Sequence, residues 1–254
     1  MFKALHARIF QKYRTNKFPD AAPKLPPHFC GRPVFDPELY DPELWGKSAE
    51  VCPVDAVNAG KKSIDLGKCI FCGKCAKVNK AITFSNEYRM GAMSRDKLIA
   101  DGTAYTPEEQ LDAGIKALYG QSLHIRQVSA GGCAACELDF NVLGTLAWDM
   151  GRFGIKVVAS PRHADAILVT GPITDNMRLA LQKSYDAMGE PKLVIACGAC
   201  AISGGIYQHS EHAAGGVENI LPVDLYVPGC PPHPATLLEA LVRFIGRRQL
   251  DNQA

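Results

Sequence analysis

Apolar and polar positions alternate in a regular way between residues 121 and 247. Short apolar runs have the character of strands, and longer segments with apolar residues at helical spacing separate or follow them. The strand-like runs are LHIRQVS, IKVVAS, AILVTG, KLVIACG and DLYV, and the helix-like segments are CELDFNVLGTLAWDM, NMRLALQKSYDAM and PATLLEALVRFIGRR. Such alternation is typical of a parallel sheet covered by helices. The pattern therefore predicts an α/β, flavodoxin-like fold for residues 121–254.

The first hundred residues have a different pattern. Residues 19–47 are rich in Pro, Asp and Glu, which disfavours helices and strands and predicts an extended arm over residues 1–47. Between residues 48 and 100 the apolar runs VCPVDAV, SIDLGKCIFCGKC and AITFS are short and contain or flank cysteines. Because so few apolar residues cannot form an ordinary core, this small domain needs a bound metal to hold it together.

Residues 101–120 are predicted to form a linker helix between these two parts. Thr106 is a suitable N-cap, and Pro107 suits the first helical position. The segment from Leu111 to Leu118 then has apolar residues at helical spacing. We therefore expect the domain boundary in this region.

Composition and charge exclude several classes of function. The 254 residues are 47% hydrophobic and 21% charged, and a formal net charge of +2 gives no extended basic field, so nucleic acid is not an expected partner. No apolar run reaches the roughly 20 residues of a membrane span, and the N-terminal segment lacks the apolar core of a signal peptide. The chain is expected in the cytoplasm. Its first 17 residues mix apolar and basic side chains, which suits a short basic amphipathic helix or a segment packed on a partner.

The chain contains 10 cysteines, and their spacing is typical of metal ligands. A small secreted protein would use so many cysteines in disulfides, but this chain is too long for that class and has no export signal. Thiolate ligands for iron or zinc are the better interpretation. The cysteines form two groups, from Cys30 to Cys75 and from Cys133 to Cys230, with a cysteine-free segment between them.

The segment Cys69-Ile-Phe-Cys72-Gly-Lys-Cys75 has C-x2-C-x2-C spacing. This spacing allows three thiolates on one tight loop to reach three corners of a cubane 4Fe-4S cluster. In two-cluster ferredoxins, the cysteine that precedes proline in one run binds the cluster of the other run. Cys52, which precedes Pro53, is therefore the predicted fourth ligand.

The ligand positions of a second cluster are occupied by other residues. Counted from the two runs, these positions hold Pro42, Trp45, Ser48 and Asn79. The segment resembles a bacterial-type ferredoxin that has lost one of its two clusters, so residues 48–100 are expected to form an α+β ferredoxin-like domain with one 4Fe-4S cluster. The alternative is a zinc site with four cysteines, although zinc ribbons use paired C-x2-C groups. Cys30 has no place in this scheme.

The cysteines of the second group lie where predicted strands end. Cys133 and Cys136 follow LHIRQVS, and Cys230 follows DLYV. Cys197 and Cys200 lie at the end of KLVIACG. Because ligands of parallel α/β sheets bind beyond the carboxyl ends of the strands, three loops can converge on one cofactor here. The two C-x2-C pairs also permit zinc, but they are about 60 residues apart, whereas zinc ribbons separate theirs by 15–20.

Three motifs of this region, GGCAACELDFN, the G-x-C-x3-G-G from Gly198 to Gly205, and PGCPPHP, resemble those of a known family. They are similar to the small subunit of nickel-iron hydrogenases and to its relative in complex I, the 20 kDa subunit of NADH-quinone oxidoreductase. The resemblance covers residues 121–247 and assigns 121–254 to a domain of this type. It implies that a second 4Fe-4S cluster is held by Cys133, Cys136, Cys200 and Cys230. Cys197 falls outside the motif and is the spare thiol.

Other candidate sites are weaker. The chain has neither the dinucleotide motif G-x-G-x-x-G nor the phosphate-binding motif G-x4-G-K-[ST], so no nucleotide or flavin site is predicted. The histidines expected at the surface are His163, His209, His212 and His233. Glu137, directly after Cys136, either contacts a partner's active site or a proton path, or is a solvated or capping residue.

The resemblance also implies a function and partners. It implies a large catalytic subunit, other iron-sulfur subunits and membrane subunits as partners, with this chain at the cytoplasmic face of the inner membrane. Energy-converting membrane hydrogenases space the first cysteines as C-x2-C, as in Cys133 and Cys136, whereas complex I relatives have adjacent cysteines. The expected function is a non-catalytic electron-transfer subunit, with two 4Fe-4S clusters, of a nickel-iron hydrogenase of the formate hydrogenlyase kind. The alternatives are a quinone-reducing relative without nickel, and a soluble ferredoxin-type carrier or zinc-stabilised module.

Overall fold

The computed structural model describes residues 2–103, 105, 117, 119 and 122–246. Most of the predicted linker helix, residues 101–120, lies outside the described residues. Among the helices that the structure describes, none is long and apolar enough to cross a bilayer.

The N-terminal half combines short helices with two small antiparallel sheets. Its elements are α1 (Phe2–Gln11), β1 (Pro33–Phe35), α2 (Pro42–Glu50), β2 (Val57–Asn58), β3 (Ser63–Asp65), α3 (Lys74–Val78), β4 (Ile82–Phe84) and β5 (Ile99–Ala100). Strand β1 pairs with β4, and β3 lies between β2 and β5. Helix α2 packs against α3.

The predicted extended arm is wrong for part of residues 19–47, because β1 and the start of α2 lie within it. Helix α2 begins at Pro42, and the Asp41 carboxylate accepts hydrogen bonds from the backbone N–H groups of Glu43 and Leu44 at 2.8 and 3.5 Å. An Asp N-cap followed by Pro is a favourable helix start, since the first helical N–H would have no partner and Pro lacks it. The Pro and acidic residues of this segment thus begin a helix.

The C-terminal half is built on a five-stranded parallel sheet. Its strands are β6 (Leu123–Ser129), β7 (Ile155–Val157), β8 (Ala166–Thr170), β9 (Leu193–Cys197) and β10 (Leu225–Val227), and its helices are α4 (Ala135–Val142), α5 (Asp175–Asp186), α6 (Ala199–Ser203) and α7 (Pro234–Phe244). The strand order is β10-β9-β8-β6-β7. The chain reverses direction across the sheet between β6 and β8, which is the flavodoxin-like order with its switch point there. The predicted α/β fold is confirmed.

The sheet is buried on both faces. In β8, Leu168 belongs to the core on one face, which α7 covers with residues such as Leu241. Ile167 belongs to the core on the other face, where α5 packs together with Leu66 and Leu98 of the N-terminal half. Because the two halves share this second core, the cysteine loop that follows Leu66 is held against the C-terminal sheet.

Hydrogen bonds also join the two halves. Ala92 and Tyr226 exchange backbone hydrogen bonds of 3.0 and 2.8 Å beside β10. Close by, the buried guanidinium of Arg243 donates to the carbonyl oxygen of Gly91 at 2.8 Å and to the buried carboxylate of Glu239 at 2.7 Å. The segment that follows the N-terminal cysteines is thus fixed to the C-terminal half.

Candidate metal centres

The four cysteines predicted to hold the N-terminal cluster line one small cavity. They are Cys52, Cys69, Cys72 and Cys75. Cys52 follows the end of α2, and the other three come from the loop after β3 and the start of α3. Cys69 and Cys75 are buried, Cys52 is half-buried and Cys72 is exposed, so the cavity is closed on the protein side and reached from the side of Cys72. Apolar residues, among them Val54, complete the wall.

Backbone N–H groups point at two of these sulfurs. The N–H of Ala56 donates to Cys52 Sγ at 3.2 Å, and that of Phe71 donates to Cys69 Sγ at 3.3 Å. Phe71 has a positive φ of 54°, which turns the loop tightly around the cavity. N–H donors to sulfur are among the features that set the reduction potential of an iron-sulfur cluster.

The thiols of this cavity interact electrostatically. Burial, with a smaller effect of Cys52 and Cys72, raises the pKa of Cys75 to about 11. Burial likewise raises the pKa of Cys69 far above its ordinary value. A thiol with such a pKa stays protonated at neutral pH unless a cation replaces the proton, and metal binding does so. A metal bound in this cavity would therefore displace the protons of these thiols.

The positions of the absent second ligand set are filled by the protein itself. Trp45, Ser48 and Asn79 are all buried. The Trp45 ring packs edge-on against Phe35 with centroids 5.0 Å apart, and Ser48 Oγ donates to the carbonyl oxygen of Leu44 at 2.8 Å. In Asn79, the side-chain oxygen accepts a hydrogen bond from Ala81 N–H at 3.0 Å. These packed side chains leave a single set of thiols in the N-terminal half of the described chain.

The second set of thiols lies at the carboxyl edge of the parallel sheet. Cys133 and Cys136 follow β6, Cys200 lies in α6 after β9, and Cys230 follows β10. Burial and, to a smaller extent, the thiols of Cys230, Cys136 and Cys133 raise the pKa of Cys200 to about 12. Burial and the thiols of Cys136 and Cys133 also raise the pKa of Cys230. The structure thus brings these four cysteines together from three loops.

Two glycines make room for the sulfurs of this set. Gly198 has a φ of 90°, and a Cβ placed on it would lie 2.6 Å from Cys136 Sγ. Gly205 has a φ of 52°, and a Cβ there would lie 2.9 Å from Cys200 Sγ. Both distances are too short for a carbon and a sulfur that are not bonded, so only glycine fits at these positions.

The two remaining cysteines, Cys197 and Cys30, belong to neither predicted set of ligands. Cys197 is completely buried at the end of β9, within the core of the sheet. Its thiol is hydrogen-bonded to that of Cys136, and this contact and burial raise its pKa well above the ordinary value. Cys30 makes a weak contact from Sγ to the carbonyl oxygen of His28 at 3.7 Å and lies in neither set. The place of Cys197 below the loops agrees with a packing role.

Glu137 is fixed beside the second set of thiols. Thr170 Oγ1 donates to Glu137 Oε1 at 2.6 Å. Partial burial acts to raise the pKa of this carboxyl group, but hydrogen bonds from Ser129 and Thr170 outweigh it and lower the pKa. Glu137 is therefore a carboxylate held at the switch point of the sheet, and of the two roles that the sequence left open, that of a freely solvated side chain does not fit this geometry.

His233 is not the surface residue that its sequence context predicted. It is half-buried, and its Nδ1 accepts a hydrogen bond from Ala235 N–H at 3.1 Å, which caps α7. Its ring also packs edge-on against Phe29 and Trp148. Burial lowers its pKa, which favours the neutral form that accepts this bond. His233 therefore holds the start of α7 directly behind the Cys230 loop.

The two sets of thiols are joined by contacts that the sequence did not predict. Ser203 Oγ, at the end of α6, donates to the carbonyl oxygen of Gly67 at 2.9 Å. Gln208 Nε2 donates to Asp55 Oδ2 at 3.2 Å. The first contact links the loop of Cys69 to the helix of Cys200, and the second links the segment after Cys52 to the segment after Cys200.

The ligand chemistry fits clusters of several metal atoms. A cubane cluster takes one thiolate at each of four iron corners, so its ligands surround a volume. The four N-terminal cysteines line one cavity.

Known proteins are similar to this chain over the region that contains its C-terminal cysteine motifs. The family described as NADH ubiquinone oxidoreductase, 20 Kd subunit, matches residues 133–244. An NADH-quinone oxidoreductase subunit of Phocaeicola vulgatus is 46% identical over 119 residues, which cover 46% of this chain and 60% of that protein. A probable membrane-bound hydrogenase subunit of Pyrococcus furiosus is 40% identical over 123 residues, which cover 48% of this chain and 74% of that one.

A third relative is formate hydrogenlyase subunit 7 of Escherichia coli. It is 42% identical over 126 residues, which cover 50% of this chain and 49% of that protein. The matched part of the chain thus spans less than two thirds of the Phocaeicola vulgatus relative and about half of the formate hydrogenlyase subunit. All three relatives are named as subunits of larger assemblies, so the similarity implies partner subunits.

Proposed function

The chain belongs to the family of the NADH ubiquinone oxidoreductase 20 kDa subunit, and from this premise we propose that it is the electron-transfer subunit of a membrane-associated, hydrogenase-like complex. The observation that carries the proposal is the presence of two sets of four thiols whose loops are hydrogen-bonded to each other through Ser203 and Gly67. A 4Fe-4S cluster, when bound, supplies a centre that accepts and returns one electron. The chain itself supplies the ligands, the shielding and the link between the sites.

In the N-terminal site, Cys52, Cys69, Cys72 and Cys75 would hold one cluster. The burial of Cys69 and Cys75 keeps water from most of the cavity, and the N–H groups of Ala56 and Phe71 stabilise negative charge on sulfur. These features favour a group that carries net negative charge on its ligands. They also support the ferredoxin-like character proposed for residues 48–100.

In the C-terminal site, Cys133, Cys136, Cys200 and Cys230 would hold the other cluster. The glycines around these cysteines let the backbone approach sulfur closely, as Gly198 does at Cys136. Cys133 and Cys230 are exposed, so this site opens to the surface on the carboxyl edge of the sheet. An opening of this kind supports contact with a large partner subunit that carries the catalytic centre.

The link between the two sites supports transfer within the chain. The hydrogen bond of 2.9 Å between Ser203 and Gly67 connects the Cys200 helix directly to the Cys69 loop. A route for electrons through the protein therefore crosses a single hydrogen bond here. The ion pair of Arg95 with Asp65, with two contacts of 2.7 and 2.6 Å, holds the start of this loop in place. We infer that Cys200 and Cys69 are the ligands that face each other across the link.

A second candidate is a quinone-reducing relative without nickel. The 46% identity to an NADH-quinone oxidoreductase subunit favours it. The two residues that separate Cys133 from Cys136 favour the hydrogenase type, given the resemblance described above. The partner decides between them, because a nickel-iron subunit requires two C-x2-C pairs of its own.

Anaerobic purification of the full chain tests the proposal. Two cubane clusters require about eight iron and eight sulfide per chain, with low-potential signals in electron paramagnetic resonance after reduction. Cys72→Ser and Cys230→Ser should each remove about half of the iron, whereas Cys30→Ser should remove none. Zinc in place of iron would overturn the proposal in favour of an interaction module. A stable monomer that keeps both clusters and binds no partner would favour a soluble carrier.

Co-purification with the neighbouring large subunit then identifies the complex. Hydrogen-dependent reduction of this chain's clusters is expected, and it should disappear in Cys230→Ser. Reduction by a quinol but not by hydrogen would establish the second candidate.

A further inference from the structure

Helix α1 carries an apolar face that no part of the described chain covers. None of its residues is buried. Phe2, Leu5 and Ile9 lie at positions i, i+3 and i+7, and therefore on one face, and they are 84%, 58% and 64% exposed. Phe10, 72% exposed, borders the same face. Adjacent exposed apolar side chains of this size mark a binding surface.

Basic residues flank this face on both sides. With about 100° of rotation per residue, Lys3 lies along one edge, next to Phe10, and Arg8 lies along the other. Lys12 follows the end of the helix, with a φ of 53°. The opposite side of the helix carries small or neutral residues. The chain has no Asp or Glu before Asp20, so the helix and the residues after it are uniformly basic.

The segment after α1 is attached firmly to the C-terminal half. Arg152 donates to the carbonyl oxygens of Asn16 and Phe18 at 3.2 and 2.7 Å, and the Asn16 N–H donates to the carbonyl oxygen of Ala147 at 2.8 Å. Phe18 itself is buried. The loop that receives this segment also presents Leu146, which is 78% exposed and lines a shallow depression together with Arg14.

We propose that α1, together with Leu146, docks this chain directly on the surface of an anionic phospholipid bilayer. The face formed by Phe2, Leu5 and Ile9 enters the boundary between headgroups and acyl chains, and the lysine and arginine ends lie at the phosphate level. This inference needs no metal cluster, and it goes beyond the proposed function because it gives this chain its own membrane contact in addition to any made by membrane subunits.

The charge pattern favours a lipid surface over a protein groove. A groove on a partner would cover the apolar face equally well, but it gives no reason for cations along both edges of the helix. An anionic bilayer attracts each of them, with about 1 kcal/mol for each Lys or Arg near the surface. The hydrogen bonds at residues 16–18 keep α1 close to the C-terminal half, next to the loop that presents Leu146.

Vesicle flotation with the full chain tests the proposal. The chain should float with vesicles of phosphatidylglycerol and phosphatidylcholine in 0.1 M salt, but not with phosphatidylcholine alone. Binding should be lost in 1 M salt, because the screening length falls from about 10 to about 3 Å. Equal binding to both kinds of vesicle, or binding to neither, would overturn the proposal.

Matched variants locate the contact. Arg8→Gln with Lys12→Gln should weaken binding by about 30-fold, since two charges at about 1 kcal/mol each correspond to that ratio. Lys61→Gln with Lys80→Gln removes the same charge from exposed positions elsewhere and should leave binding unchanged. Ile9→Ser should abolish binding, whereas Leu179→Ser, which changes a residue of similar exposure on α5, should not.

Iron content distinguishes a failure of the lipid proposal from a failure of the proposed function. All four variants should retain the parent's iron, whatever the parent contains, because none touches a cysteine loop. If the α1 variants keep vesicle binding, the lipid proposal is wrong. If they also lose the protein partner, the surface is a protein-docking site.

Discussion

Ser203 Oγ lies 2.9 Å from the carbonyl oxygen of Gly67 and donates a hydrogen bond to it. Gly67 precedes Cys69 by two residues, and Ser203 follows Cys200 by three. A Cβ on Gly67 would lie 2.8 Å from Cγ2 of Ile202, so the backbone of Gly67 lies close to the side chain of Ile202. This contact connects the two thiol sets more directly than the covalent chain between them does.

The Ser203→Ala variant should affect the link between the two sites without affecting the ligands of either site. Loss of one half-buried hydrogen bond should lower the free energy of unfolding by about 0.5–1.5 kcal/mol and leave both iron contents unchanged. Electron exchange between the two sites should become slower, because the link between the loops loses its hydrogen bond. Stopped-flow reduction followed by freeze-quench electron paramagnetic resonance measures the rate of this exchange.

Ser184→Ala is the matched control, since Ser184 Oγ donates to Ala180 O at 2.8 Å on exposed α5 and contacts no cysteine loop. Parent-like exchange in Ser203→Ala, at unchanged potentials, would show that the hydrogen bond is not part of the route. Ser203→Thr, which keeps the hydroxyl, should restore the rate.

The buried ion pair of α7 should contribute more to the free energy of unfolding than an exposed ion pair does. Glu239 and Arg243 are buried and 2.7 Å apart, and Arg243 also donates to Gly91 of the N-terminal half. Glu239→Ala leaves a buried guanidinium without its carboxylate, so it should lower the free energy of unfolding by about 3–5 kcal/mol.

The exposed i,i+4 pair of Glu43 and Lys47, 2.6 Å apart on α2, provides the comparison. Glu43→Ala should change the free energy of unfolding by less than about 1 kcal/mol. Denaturant titration of both variants in the presence of bound metal measures the difference. Equal costs would mean that the pair on α7 does not hold the halves together.

The architecture of the C-terminal half follows from its sequence because each strand is a short apolar run bounded by polar or glycine-containing loops. The run LHIRQVS coincides with β6, and DLYV contains β10. The places of Cys133 and Cys230 beyond these strands followed from the rule that ligands bind at carboxyl strand ends. The ligand sets themselves stay predictions.

Other features could not be predicted because they depend on contacts between distant segments. The extended-arm prediction weighed the Pro and acidic content of residues 19–47 but overlooked that Asp41-Pro42 is a helix start. His233 is half-buried because Phe29 and Trp148, both far away in the sequence, pack against it. The contact of Ser203 with Gly67 spans 136 residues, and no local pattern indicates it.

Gly198 offers a test of the space around sulfur. Gly198→Ala would place a carbon 2.6 Å from Cys136 Sγ at a residue with φ of 90°, so both the contact and the backbone would be strained. We expect loss of the C-terminal iron, about half of the total, with the N-terminal site retained. Gly189→Ala, where a Cβ would meet nothing within 4 Å, should keep all the iron. Full iron in Gly198→Ala would show that the loop can move without harm.

Cys197 and Cys200 lie in one C-x2-C pair but in different surroundings. Cys197 is completely buried in the core at the end of β9, with its thiol on that of Cys136. Cys200 is half-buried in α6, and the thiols of Cys230, Cys136 and Cys133 all act on its pKa. We therefore expect Cys200 to be the ligand and Cys197 to be a packing residue.

Replacement of each by alanine should then have opposite effects. Cys200→Ala should lose the C-terminal iron and electron transfer to the partner, because a ligand of one iron corner is missing. Cys197→Ala should keep the iron and lower the free energy of unfolding by an amount on the order of 1 kcal/mol, since a small buried side chain loses one atom. Iron analysis and denaturant titration of the two variants measure both effects. If Cys197→Ala loses the iron and Cys200→Ala retains it, the thiol at the end of β9 is the ligand, and the alignment of Cys200 with the family motif is wrong.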